Sequence, residues 1–260
     1  MVIKLYYDLM SQPSRVLYIL LKTIKCEFEP KYVNLRKAEH YSYEFTNVNR
    51  MQRVPVIDHD GFVLTESIAI MKYLSRENFI PDALYPKDSK LQARVEEFLE
   101  WHHVGLRLHC AMYFRVAYMN PILTGSKLDD KTIENYKRRM LTALEDLDTK
   151  WLGRGTEYIA GDTITVADLV AACELEQPRE CTLPKPKPEE KTESCGVKLR
   201  RWCRSRRCQL WRLLLLPFIP ILALIVQTTL SLKNSVTNGR DVADVEEQVT
   251  KECNGFVVSQ

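Results

Sequence analysis

The residues that most restrict what this chain can fold into are Asp8-Leu9-Met10-Ser11-Gln12-Pro13-Ser14-Arg15, taken with Val54-Pro55 and Thr65-Glu66-Ser67. A strand-like run, Val2 to Tyr7, ends in a polar turn, and Pro13 then opens a helical pattern with Val16, Leu17, Leu20, Leu21 and Ile24 at helical spacing. Proline suits a first helical turn because the amide it lacks would have no intrahelical partner there. Ser11 therefore stands just before a helix N-terminus, where free amides and the helix dipole favour an anion. Its hydroxyl can serve as a helix cap, or it can donate a hydrogen bond to an anion such as a thiolate.

The rest of the first eighty residues gives that turn a fold. Glu27 to Val33 reads as a second strand, Val54, Val56 and Ile57 as a third, and Phe62 to Leu64 as a fourth beyond the Asp60-Gly61 turn. Glu66 to Phe79 reads as an amphipathic helix with Ile68, Ala69, Met71, Tyr73 and Leu74 as its apolar residues. Strand-helix-strand followed by strand-strand-helix is the order of an α/β thioredoxin-like domain, assigned to residues 1–80. Pro55 inside a strand signal requires an edge or a strand start. In the thioredoxin-like fold that place belongs to a cis-proline that exposes the preceding residue's backbone.

From Asp88 onward the pattern is helical, predicting an all-α domain over 88–179. Lys90 to Tyr118 carries Leu91, Val95, Phe98, Leu99, Val104, Leu108, Met112 and Phe114 at spacings near those of a long helix. Asp130 to Leu152 follows with Ile133, Tyr136, Met140, Leu144, Leu147 and Trp151 on one face. Thr165 with Asp168 forms a capping box, flanked by Ile164 and Leu169 at hydrophobic-staple positions. His102, His103 and His109 lie on the long helix without a carboxylate or cysteine at ligand spacing, so no metal site is expected.

Taken together, Leu5 to Arg15, Val33 to His40, Arg53-Val54-Pro55, Leu64 to Ser67, Trp101-His102, Leu106-Arg107, Gly161-Asp162 and Thr165 to Asp168 resemble the theta class of the cytosolic glutathione transferases. The resemblance covers residues 2 to about 179. It implies a transferase that activates glutathione and attacks electrophiles such as alkyl or aryl halides, epoxides or hydroperoxides. Glutathione is then a co-substrate, no other cofactor is needed, and the first domain and long helices form a homodimer.

The resemblance also assigns residues. The Ser67 hydroxyl and neighbouring amides would hold the γ-glutamyl carboxylate, and Glu66 the γ-glutamyl amine. Val54, before Pro55, would pair its backbone with the cysteinyl moiety like an added strand. His40 and Arg53 would meet the glycyl carboxylate. A free thiol ionises near a pKa of ~8.5, so it needs stabilisation as the thiolate. Ser11 is the expected hydroxyl, with Arg107 as a second stabiliser. Tyr6 and Tyr7 are rivals, of which one must face the core; Ser14, inside the helix, is the weaker serine.

After Arg179 the family pattern stops. Residues 180–212 read as a Pro- and charge-rich linker, then a basic cluster from Lys198 to Arg212. Residues 213–232 carry no charge over a length of about 20 residues, enough to span a bilayer, and 233–260 form a polar tail. Pro217 and Pro220 weigh against a continuous helix there. A variant exon junction is preferred to a membrane anchor, and either to nucleic-acid binding, since Trp202 and Trp211 hardly make a stacking platform. The eight cysteines show no disulfide framework, and Met1 to Tyr7 has no signal-peptide core, so the expected location is cytoplasmic, with 213–232 as the candidate tether. The alternative to a transferase is a non-catalytic glutathione-binding or interaction module.

Overall fold

A computed structural model describes residues 2–182, with side chains through residue 178. The stretches 183–212, 213–232 and 233–260 lie outside the described residues. The first domain comprises β1 (Ile3–Tyr7), α1 (Gln12–Thr23), β2 (Phe28–Tyr32), α2 (Tyr43–Val48), β3 (Val56–His59), β4 (Phe62–Thr65) and α3 (Ser67–Arg76). Its sheet has the order β2-β1-β3-β4, with β2 parallel to β1 and the other two pairs antiparallel. This is the thioredoxin-like arrangement expected from the strand order.

Alternation along β1 sends Ile3, Leu5 and Tyr7 to one face, where they are buried. Tyr6 points the other way, onto Val33, Phe45 and Val56. Each fully buried aliphatic side chain contributes about 1.5–3 kcal/mol. Tyr7 packs on Tyr18 and Tyr32, so both tyrosine rivals of Ser11 are built into the packing of the sheet.

The helical domain contains α4 (Ser89–His102), α5 (Leu108–Phe114), α6 (Asn120–Thr124), α7 (Asp130–Asp146) and α8 (Val166–Thr182). The long helix expected from Lys90 to Tyr118 is interrupted by two wide π turns, His103–Arg107 and Arg115–Met119. Each wide turn admits an extra residue and rotates the following face. Leu91, Val104 and Leu108, expected on the buried stripe, are exposed instead. Leu106, Cys110, Tyr113, Phe114 and Val116 take the core positions. A third π turn, Leu147–Trp151, ends α7, where Met140, Ala143, Leu147 and Trp151 are buried.

The capping box forms as expected. Thr165 N donates to Asp168 Oδ2 over 2.8 Å and Ala167 N donates to Thr165 Oγ1 over 3.3 Å. Asp168 Oδ1 also accepts from Ile159 N at 3.0 Å, so the cap ties the preceding loop to α8. That helix passes through Pro178 to Thr182, taking up the first three residues of the linker expected from 180. Pro178 cannot donate to the Glu174 carbonyl. Burial of Cys173, Glu174, Gln177 and Pro178 holds this turn despite the missing bond. α8 packs against α1, α4 and α5, which explains an apolar pattern spread around the helix rather than along one stripe.

Candidate active site

The turn Asp8–Ser11 is fixed from within. Asp8 is buried; its Oδ1 accepts from Met10 N at 2.8 Å and its Oδ2 from Leu35 N at 2.9 Å. Ser11 N donates to Asp8 O over 2.9 Å. Burial pushes the Asp8 carboxyl up, while these two amides oppose the shift.

Ser11 caps α1 and faces β3 at once. Its Oγ accepts from Ser14 N at 3.4 Å and donates to the Val54 carbonyl at 3.5 Å. Both contacts are long, so the hydroxyl is aimed without being tightly held, a state from which it can turn toward an incoming group. Ser11 is half-buried, whereas Ser14 is shut away from solvent. The hydroxyl thus joins the residues expected to hold the thiol and the cysteinyl backbone.

The Val54–Pro55 peptide is cis and Pro55 is buried just before β3, as the fold resemblance requires. Beyond β4, Glu66 adopts a left-handed φ of 67° before Ser67 opens α3. A non-glycine residue held there marks a place where the surroundings overrule local preference. Glu66 is exposed and Ser67 buried. The first amides of α3 lack intrahelical acceptors and, with the helix dipole behind them, favour an anion.

His40 lies in a 3₁₀ turn, Glu39–Tyr41, with its ring tilted against that of Tyr41. Burial lowers its pKa, against the opposing charge of Asp8, which favours the neutral ring. Its Nδ1 is buried with no hydrogen-bond partner among the described residues. Arg53 is exposed, and its carbonyl accepts from Asn49 Nδ2 over 2.7 Å.

Arg107 is engaged differently from the expectation of a simple thiolate stabiliser. Its Nε donates to Glu174 Oε1 over 2.6 Å, leaving Nη2 buried with no protein partner among the described residues. Burial pushes the Glu174 carboxyl up, and the Arg107 guanidinium opposes it. Nearby in sequence, His102 donates from Nδ1 to the Leu99 carbonyl, and burial followed by repulsion from Arg107 and His103 pushes its pKa down to about 3. No cluster of three potential metal ligands occurs among the described residues.

Sequence reading placed Asp8 and Arg15 in the opening motif without giving either a role, and gave none to Glu174 or Gln177. What these residues do depends in part on partners far along the chain: Leu35 for Asp8, α8 for Arg15, and Arg107 and Arg15 for Glu174 and Gln177.

The glutathione S-transferase N-terminal domain family matches residues 1–76, and the corresponding C-terminal domain family matches residues 108–195. Mouse glutathione S-transferase theta-1 is 40% identical over 178 residues, covering 68% of this chain and 74% of the relative. The human theta-1 enzyme is 38% identical over 176 residues, covering 68% and 73%. A human theta-class glutathione transferase, solved with the glutathione conjugate of 1-menaphthyl sulfate, superposes with a TM-score of 0.72 at 29% identity. That superposition covers 98% of this chain and 99% of the other.

Proposed function

Since the chain belongs to the glutathione S-transferase family, we propose that it activates glutathione through the Ser11 hydroxyl. It is a theta-like transferase that conjugates reduced glutathione to electrophiles. The observation that carries the Ser11 assignment is its position at the start of α1, half-buried and 3.5 Å from the carbonyl of Val54.

In this reading Ser67, the first amides of α3 and Glu66 bind the γ-glutamyl end. The Val54 backbone pairs with the cysteinyl residue, while neutral His40 and the Arg53 cation meet the glycyl carboxylate. The thiol then lies by Ser11. A hydroxyl donor and a helix N-terminus both favour the charged form of the thiol, releasing its proton to solvent. The remaining Nη2 donor of Arg107 supplies further positive potential. The thiolate attacks an alkyl or aryl halide or an epoxide, forming a carbon–sulfur bond as the leaving group or ring oxygen takes the electron pair. Hydroperoxides are a further substrate class. Rate comes from thiolate formation and from holding two reactants together, with glutathione as co-substrate and no resident cofactor.

The homodimer reading is supported by Phe62 and Val63 on β4 and by Val104 and Leu108 on the long helical run, all exposed apolar residues. A cytoplasmic location belongs to the same proposal. No helix among the described residues is long and apolar enough to cross a membrane, and 213–232 lies outside them. The non-catalytic module is not favoured, because the relatives that match two thirds of the chain are theta-class glutathione S-transferases.

The test is glutathione-dependent turnover of a panel of halides, epoxides and hydroperoxides by the full chain and by Ser11→Ala. The expected result is turnover in the parent and a fall of about 100-fold or more in the variant, the loss of one transition-state donor. Full activity in Ser11→Ala would remove Ser11 from the mechanism.

A further inference from the structure

We infer that Arg15 is a positioning residue for the Ser11 hydroxyl, holding the Asp8–Ser11 turn against α8; the assignment rests on the reading of Ser11 above. Arg15 lies one turn into α1, and its backbone amide donates to the Ser11 carbonyl over 3.0 Å. Helical side chains tilt toward the helix start, so its guanidinium reaches back over the turn that carries Ser11. Nη1 donates to the Leu9 carbonyl at 3.0 Å. Nη2 donates to the Cys173 carbonyl at 3.0 Å and to Gln177 Oε1 at 2.7 Å. The residue is only 7% exposed.

A planar guanidinium fixes the relative places of all three acceptors. One belongs to the turn bearing the hydroxyl, and two belong to a helix more than 150 residues later in the chain. Asp8 ties the same turn to Leu35 and Met10 within the first domain, but makes no bond to α8. Arg15 is therefore the connection through which the helical domain sets where Ser11 stands. Gln12 Nε2 and Ser14 Oγ, just before it on α1, are buried without partners among the described residues, as is Arg15 Nε, so these neighbouring side-chain atoms do not duplicate the connection.

The proposed anchor of the γ-glutamyl end is on a different element, α3. Loosening Arg15 should move the hydroxyl relative to the thiol while leaving that anchor in place. Thiolate formation then suffers more than glutathione binding. A lysine cannot serve the three acceptors with one fork, although it keeps the charge.

The experiment uses the full chain, Arg15→Lys, Gln177→Ala and Ser11→Ala. The thiolate absorbance of enzyme-bound glutathione is followed against pH beside steady-state kinetics with an aryl halide. Arg15→Lys should raise the bound-thiol pKa by about one unit and lower kcat at neutral pH about tenfold. The KM for glutathione should stay within about twofold. Gln177→Ala should shift the thiol in the same direction by less, and it decides the matter if Arg15→Lys does not fold. A parental thiol pKa in the folded variants, with any loss of activity following the folded fraction alone, would overturn the assignment. If Ser11→Ala is impaired while the Arg15 and Gln177 variants match the parent, only the Arg15 assignment fails. If Ser11→Ala itself keeps the parental thiol pKa and rate, the Ser11 reading fails and this assignment with it.

Discussion

Arg107 Nε donates to Glu174 Oε1 over 2.6 Å, joining residues 67 apart in sequence around a carboxylate wholly shielded from water. Such a pair is costly to assemble, but removing one member is costlier, because the other charge is left buried. Glu174→Ala should therefore lower stability by about 3–5 kcal/mol. Glu174→Gln, which keeps the volume and an acceptor, should lose clearly less. Urea unfolding midpoints at constant m-value check this; equal losses in the two variants would refute it.

His102 gives the fold a pH dependence of definite sign. Its folded pKa of about 3 lies below the ordinary 6.5, so the unfolded chain binds the extra proton first. Stability supplied by the neutral ring is fully present above pH 6.5 and is lost as pH falls toward 3. At pH 5 the loss is about 2 kcal/mol. Since Nδ1 already donates to Leu99, the new proton would enter at Nε2, which is buried without a partner among the described residues. Chemical denaturation from pH 7 to 4 should show this slope, and His102→Asn should flatten it.

Gly105 lies in the first π turn, where an added Cβ would collide with Trp101 Cε2 and come 2.5 Å from its Nε1. The indole is packed between Phe98 and Trp151, at ring separations of 5.8 and 5.1 Å, so it has little room to move aside. Gly105→Ala should cost about 1–3 kcal/mol. In a thermal melt the midpoint should fall by roughly 3–10 °C.

In the proposed site Ser67 serves binding and not chemistry. Ser67→Ala should raise the KM for glutathione about five- to tenfold through loss of one hydrogen bond of ~1 kcal/mol, with kcat changed much less. Steady-state kinetics at saturating electrophile measure the split. A fall in kcat at unchanged KM would instead place Ser67 beside the reacting thiol.

Several of these features were legible early because they depend on neighbours in sequence. The Ser11-Gln12-Pro13 start, the β1 alternation and the Thr165–Asp168 box are all short-range patterns, and the structure reproduces them. The long helix shows where such reading fails. A π turn has no distinct composition, so Val104 and Leu108 fit a helical stripe on paper yet lie outside the core.

By itself the sequence determined the thioredoxin-like order and the helical second domain, because periodicity, capping and motif spacing are local; its resemblance pointed to the family, and the residues proposed for glutathione rest on that resemblance. Only the tertiary structure decided that Arg107 is paired, that Arg15 spans from Leu9 to α8, and that α8 is the buried centre of the helical domain. Those outcomes depend on which buried polar groups find partners once distant segments meet. Their separations of 67 and 158 residues leave no local trace.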